Sequence, residues 1–325
     1  MVCSIEPDTS ERFQRVRGWG AVARLHLCGK TDGAGGGRPT ERMLDWAAAA
    51  IGVGARIVMV RALHDGQGPW RLRIETRGHR IEAVLRAPTP RIDAAMVATA
   101  AAALEVAERH RLSAPRLIGA DLLGDVTGLP ATLETLVQGT SVWPPPLSAE
   151  RLRAAGAVLA CVHAVSMAPR DRLPFRPRPI AVDDFAADRR YGRMPTTTLL
   201  QAADEVIAAH GLPPGEPVFV HGDVWPGNLV WTGNEIGALI DWKTAGVGAP
   251  GVDLCELRKQ AAITFGPAAP TQVLHGYEHA TSSKARDVDY WDAVAALNTP
   301  TELFSGTATA RRDAFLRAAL ANLRR

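Results

Sequence analysis

The sequence predicts an α+β chain in two lobes, a small antiparallel sheet with one helix followed by a larger, mainly helical unit. Three observations lead there. Strand-like runs crowd the first half: RIVMVRAL, WRLRIET, RIEAVLRA, RLIGAD and ATLETLV. Short connections, HDGQGP (His64 to Pro69) and RGH, join the first three, which is the spacing of hairpins and not of crossovers between parallel strands. After the proline cluster WPPPL (Trp143 to Leu147) the pattern turns to long helical periods.

Each element follows in order. Residues 1–40 read as a flexible extension, because GKTDGAGGGRP is too glycine-rich to pack. Its GKT matches the end of a phosphate loop, but Arg24 stands where that loop needs its first glycine, so the motif is rejected. A first lobe, 41–137, opens with the helix ERMLDWAAAAIG and holds the five strands, with a helix at about Ile92 to His110 between the third and fourth. A second lobe, 138–325, begins near the proline cluster. Ser148 is a good N-cap for a helix to about Val165, with Leu152, Ala155, Leu159 and Val162 on one face. His163 beside that face reads as a satisfied, partly buried histidine and not a ligand. Further helices are expected at Thr198–His210, Val252–Phe265, Thr271–Ala280, Val288–Leu297 and Thr309–Leu323, with short strands at PVFV and IGALID.

Composition narrows the function classes. At 325 residues, with 46% hydrophobic and 22% charged residues, the chain can bury a sizeable core. A net charge of +3 with scattered arginines argues against nucleic acid as a partner. The longest nearly apolar run, Ala94 to Leu104, is well short of the ~18 residues that suggest a membrane span. Cys3, Cys28, Cys161 and Cys255 form no CxxC pair, which fits reduced thiols, and the first residues carry acids where a secretory signal needs an apolar run. We therefore expect a soluble cytoplasmic protein, of an oligomeric state the sequence leaves open.

The chemistry concentrates in HGDVWPGNLVW (His221 to Trp231), followed by IDW at Ile240 to Trp242. Asp223 and Asn228 have the D-x-x-x-x-N spacing of a kinase catalytic loop, where the acid faces the acceptor hydroxyl and the amide holds Mg²⁺. The next strand delivers Asp241. Mg²⁺ needs only one or two protein oxygens beside phosphates and water, so Asn228 and Asp241 suffice. A metallohydrolase built from His221, Asp223 and Asp241 lacks a second histidine cluster. GVGAPG (Gly246 to Gly251) has G-x-G-x-x-G form but is not set tight against a strand in a βαβ unit, so it reads as a loop after the metal strand.

HGDVWPGNLVW with ALIDWKTAGVGAPGVDL resembles the aminoglycoside phosphotransferase family, kin of choline and protein kinases. The resemblance covers about Met43 to Phe265 and is most specific over residues 218 to 254. It implies a bilobal protein-kinase-like fold and a phosphotransferase using ATP, with GTP as the alternative donor, and Mg²⁺. By matched position Asp223 is the catalytic base, His221 the loop's structural histidine, and Asn228 and Asp241 the metal ligands. Arg86 in EAVLRAP stands where the family places its phosphate-gripping lysine, Gly66 and Gly68 where a loop covers the phosphates, and the backbone of Glu134 to Leu136 where adenine binds. The acceptor implied is a small hydroxylated molecule: an aminoglycoside or macrolide antibiotic, or a sugar or amino-alcohol metabolite.

The sequence also departs from that pattern. Arginine replaces lysine at Arg86, and the helical glutamate that should pair with it falls near Ala100, with Glu105 and Glu108 the nearest acids. This departure motivates a second reading, a nucleotide-binding pseudokinase that regulates a partner. Three features keep two readings each. Asp253 is either the family's aspartate after the metal strand or half of a capping box with Glu256. Trp225 either stacks on a substrate ring or, the preferred reading, packs its loop. Asp183, Asp184 and Asp188 form either a solvated turn and helix start or a pocket for a cationic acceptor.

Overall fold

The computed structural model describes residues 38–64, 67–143, 147–301 and 305–324. The predicted arm up to residue 37 and Gly66 lie outside them. Helix α1 (Glu41–Ile51) starts on Thr40, whose side chain accepts from the Met43 N–H. Strands β1 (Arg56–His64), β2 (Gln67–Thr76), β3 (His79–Arg86), β4 (Leu117–Asp121) and β5 (Ala131–Thr135) form one sheet in the order β1-β2-β3-β5-β4, every pair antiparallel. Met43 and Ala47 of α1 pack with Leu72, Ile74, Leu85 and Leu133 to give this sheet its own core.

Helix α2 (Ala94–Arg109) lies between β3 and β4 in the chain but buries much of its surface elsewhere. Its Ala102, Ala103, Leu104 and Val106 join the core of the helical lobe, with Leu159, Phe219, Trp242 and Leu257. Alanine is what permits this. A run of small side chains lets the helix approach the neighbouring backbone closely, and alanine has the best helix propensity.

The helical lobe contains α3 (Ala149–His163), α4 (Phe185–Arg190), α5 (Thr198–His210), α6 (Gly251–Phe265), α7 (Ala269–Thr281), α8 (Val288–Leu297) and α9 (Gly306–Leu323). Between α5 and α6 come β6 (Val218–Val220), β7 (Leu229–Thr232), β8 (Glu235–Leu239) and β9 (Gly246–Gly248). The sequence reading placed PVFV and IGALID as the strands around the central motif, and β6 and β8 occupy them. They do not pair with each other: β6 pairs with β9 and β7 with β8. β7 and β9 fall within runs that read as loop in the sequence, and α4 begins at the turn and helix start expected around Asp184.

Helices α3 and α7 cross with almost no separation. A Cβ on Gly156 would lie 2.0 Å from the Val273 carbonyl oxygen, and one on Gly276 would lie 1.9 Å from that of Arg153. The crossing fixes Tyr277 of α7 against His163 at the end of α3, Oη to Nδ1 3.1 Å. Among the described residues no helix is long and apolar enough to cross a membrane. Because the crossing leaves no space, Gly276→Ala should cost about 2–3 kcal/mol of stability, as overpacking does. A urea denaturation midpoint unchanged from wild type would remove this close approach from the account.

Candidate active site

The site is built on turns that hydrogen bonds close tightly. Strand β6 ends at Val220, and the chain then reverses through Gly222 at φ 83°, a left-handed conformation suited to glycine. Space demands glycine there too, since a Cβ would sit 2.3 Å from the Thr244 carbonyl oxygen. The Asp253 carboxylate secures the turn by accepting from the His221 N–H at 2.7 Å and the Gly222 N–H at 2.8 Å. His163 adds a third contact, Nε2 to Oδ2 3.2 Å.

His221 is fully buried. Its Nδ1 accepts from the Asp223 N–H at 3.3 Å and its Nε2 faces the Ile240 carbonyl oxygen at 2.9 Å, which assigns the proton to Nε2. The imidazole thus links the Asp223 loop to the Asp241 segment and presents no nitrogen to a substrate. Burial pushes its pKa down, overcoming the upward pull of Asp253 and Asp223. The ring sits edge-on to Trp242 at 4.6 Å, and Trp242 stacks on Phe219 at 5.4 Å. The tryptophan of IDW is therefore a packing plate under the turn.

Beyond Asp223 the chain enters a 3-10 turn, Pro226–Asn228. Trp143 Nε1 donates to the Pro226 carbonyl at 3.0 Å. Asn228 Nδ2 donates to the Asp223 carbonyl at 2.9 Å, and the Asn228 carbonyl accepts from the Ile240 N–H at 2.9 Å. With the amide nitrogen committed, Asn228 keeps its Oδ1 as an oxygen donor. Asp241 adopts a left-handed φ of 71°, a conformation that costs a non-glycine residue roughly 1 kcal/mol and turns up at functional sites.

Arg86 explains what holds Asp241. Its Nη1 donates to Asp241 Oδ1 at 3.0 Å and its Nη2 to Glu134 Oε1 at 3.0 Å. Lys243 contacts Asp241 Oδ2 and lies 3.7 Å from Asp223 Oδ2. Burial opposes ionisation of Asp241, yet Lys243 and Arg86 outweigh it and hold the carboxyl well below the usual range. The departure read from the sequence is thereby filled from another element. Ala100 is buried, Glu105 is exposed, and Glu108 pairs with Arg116 instead. Glu134 stands opposite Val84 in the β3–β5 register, on the same face as Arg86 and one diagonal step away.

The Glu134 side chain is the partner of Arg86, and along the backbone expected to meet adenine the Thr135 N–H donates to the Arg116 carbonyl and the Leu136 N–H to the Glu82 carbonyl. Gly68 belongs to β2 and not to a loop; the Trp70 ring lies 2.7 Å from where its Cβ would be. The capping-box reading of Asp253 fails, since its oxygens serve His221, Gly222 and His163 while Glu256 Oε1 accepts from Lys259 and Gln260. The acidic cluster is largely structural: Asp184 caps α4 and pairs with Arg178 at 3.1 Å, and Asp188 pairs with Arg193. Asp183 lies in the same turn, joined to the catalytic segment by the Ile180 N–H to Gly222 carbonyl bond. Trp225 is half-buried and folds over Gly227 within its own loop. Among the described residues no group of three or more His, Cys, Asp or Glu could hold a metal, and the oxygens offered by Asn228 and Asp241 suit a hard cation that takes its remaining ligands from phosphates and water.

The family described as "Phosphotransferase enzyme family" matches residues 60–297, most of the chain and all of this site. The chain belongs to that family. As a phosphotransferase with an alcohol group as acceptor, it shares its fold with solved structures of low identity. A candidate aminoglycoside phosphotransferase from Ralstonia eutropha is 16% identical, with a TM-score of 0.61 over 87% of this chain and 97% of that one. The macrolide 2'-phosphotransferase MphH from Brachybacterium faecium is 20% identical, with a TM-score of 0.55 over 86% and 98%. An aminoglycoside phosphotransferase variant in ternary complex with ADP and hygromycin B is 14% identical, with a TM-score of 0.53 over 81% and 95%. No curated protein matched the sequence.

Two outcomes follow for the phosphotransferase. Asp253→Asn turns an NH₂ toward a backbone N–H and leaves His163 without its anion, so stability should fall by about 3–5 kcal/mol in urea titration. Acid should weaken the wild type. Because the folded His221 resists protonation, its stabilising effect is complete above the unfolded value of 6.5 and is lost as pH falls below it. His221→Gln keeps a donor and an acceptor, and its melting temperature should fall less between pH 7 and pH 5 than that of wild type.

Proposed function

We propose that this phosphotransferase transfers the γ-phosphoryl group of ATP to a hydroxyl of a small molecule, with Mg²⁺. The observation that carries this reading is the convergence of Asp223, Asn228 and Asp241 on one hydrogen-bonded frame beside the buried Arg86–Glu134 pair. Asp223, about a fifth exposed, would orient the acceptor hydroxyl and take its proton. Asn228 Oδ1 and Asp241 would hold Mg²⁺, which when bound neutralises charge on the phosphates. Arg86 spends two of its five N–H donors on carboxylates, leaving others for a phosphate oxygen. Catalysis on these residues is chiefly positioning and charge stabilisation. The nucleotide would lie between the 41–137 lobe and the 138–325 lobe. Its adenine would contact backbone beyond Leu136, and GTP is the alternative donor.

The acceptor class proposed is an aminoglycoside or macrolide, with a sugar or amino alcohol as the second choice. The folds of the aminoglycoside and macrolide phosphotransferases support the first. With Asp184 and Asp188 tied to arginines, the acidic cluster gives a strongly cationic acceptor little support. The pseudokinase reading loses one of its two motives, since Glu134 gives Arg86 the ion pair that the helix lacks, while arginine still stands in place of lysine. A cytoplasmic location is supported by the dispersed cysteines, Cys255 being buried and free.

The test is turnover of ATP by purified protein across a panel of acceptors, with Asp223→Asn beside the wild type. The variant should lose about 10²–10⁴-fold in kcat while still binding a non-hydrolysable nucleotide. Full-rate transfer by Asp223→Asn would overturn the assignment of the base. Nucleotide binding without turnover on any acceptor would instead favour the pseudokinase.

A further inference from the structure

Lys243 is a charged residue within the reacting cluster to which the proposed chemistry gives no task. It follows Asp241 on the 3-10 turn Trp242–Thr244, and the left-handed Asp241 that starts this turn folds the lysine back over its own i−2 carboxylate. The ammonium contacts Asp241 Oδ2 and stands 3.7 Å from Asp223 Oδ2, while Arg86 holds Asp241 Oδ1 at 3.0 Å. Each Asp241 oxygen therefore has its own cation. The one supplied by Lys243 lies between the two aspartates on which the reaction depends.

A hard divalent cation binds a carboxylate oxygen at roughly 2.0–2.1 Å and repels an ammonium bonded to the same atom. One of Asp241's two partners must give way. Arg86 is anchored a second time by Glu134 and is 5% exposed, whereas Lys243 swings on a flexible four-carbon stem and is 13% exposed. The lysine is the partner able to move.

Building on the metal-site reading above, we propose that Lys243 is a resident placeholder cation. It screens Asp223 from Asp241 before metal and nucleotide bind, competes with the metal for Asp241 Oδ2, and on displacement keeps its charge beside Asp223. Metal affinity would then be set low in the free enzyme and raised when nucleotide brings further ligands.

Mn²⁺ titration of the nucleotide-free protein, with free Mn²⁺ followed by electron paramagnetic resonance, tests this on wild type, Lys243→Met and Asp241→Asn. Lys243→Met should bind Mn²⁺ about tenfold tighter or more, because a competing charge at contact distance is gone. Asp241→Asn should lose binding. Equal or weaker binding by a folded Lys243→Met overturns the placeholder while leaving the metal site intact. Absence of Mn²⁺ binding by every form, even with a non-hydrolysable nucleotide, overturns the metal-site reading and the placeholder with it. A second measurement needs no variant: acetic anhydride labelling of wild-type Lys243, mapped by mass spectrometry with and without Mn²⁺. Labelling should rise several-fold with Mn²⁺ as the ammonium is released; unchanged labelling would count against displacement.

Discussion

The Asp253 carboxylate accepts from the backbone N–H groups of His221 and Gly222 and meets His163 at hydrogen-bond distance, all without exposure to solvent. Hydrogen bonds to a charged group are worth about 1.5–3 kcal/mol each, and a buried carboxylate without them is strongly disfavoured. These contacts outweigh the cost of burial and hold its pKa below the ordinary value, so the group stays charged where charge is hardest to keep. Its location matters more than its energy. It joins the start of α6 to the turn that aims Asp223, and through His163 and Tyr277 it also joins α3 and α7. The glycine crossing of α3 with α7 and the orientation of the Asp223 loop are thus parts of one connected assembly.

A second connection runs across the lobes. Arg86 on β3 reaches Asp241 in the helical lobe, and Glu134 on the neighbouring strand fixes the arginine. The usual pairing of the strand cation with a helical acid is replaced by a pairing within the sheet. That substitution has a packing logic. Helix α2 is alanine-rich and sunk into the core of the helical lobe, so a long acid at Ala100 would have no room. Strand β5, one step from β3, offers a face position for a carboxylate at no such cost. The guanidinium fork suits this arrangement because it serves two carboxylates at once, which a lysine does less well.

Much of the fold was legible in the amino acids because long elements announce themselves by period. The ends of α1, α5 and α8 agree closely with the sequence reading, and Ser148 is the cap expected. The segment from His221 to Trp242 carries the resemblance to the phosphotransferase family, since an acid, an amide and a second acid stand there at the spacing of a kinase catalytic loop. Short elements lying inside other motifs, such as β7 and β9, display no repeat of their own and are seen only in the tertiary structure. Asp253 was ambiguous in one dimension, since an acid three residues before another acid at a helix start fits a cap as well as a buried anchor.

The order of residues by itself determined the two-lobe plan, because long elements depend on local periodicity, and its resemblance to the phosphotransferase family indicated the kind of reaction. Only the tertiary structure decided who pairs with whom. Glu134 faces Arg86 through sheet register, Asp253 turns to the loop and not to its own helix, and Lys243 lies between Asp223 and Asp241 through a left-handed turn. These are long-range or conformational facts. A partner far away in the chain is chosen by register and packing, neither of which is written in the spacing of the residues concerned.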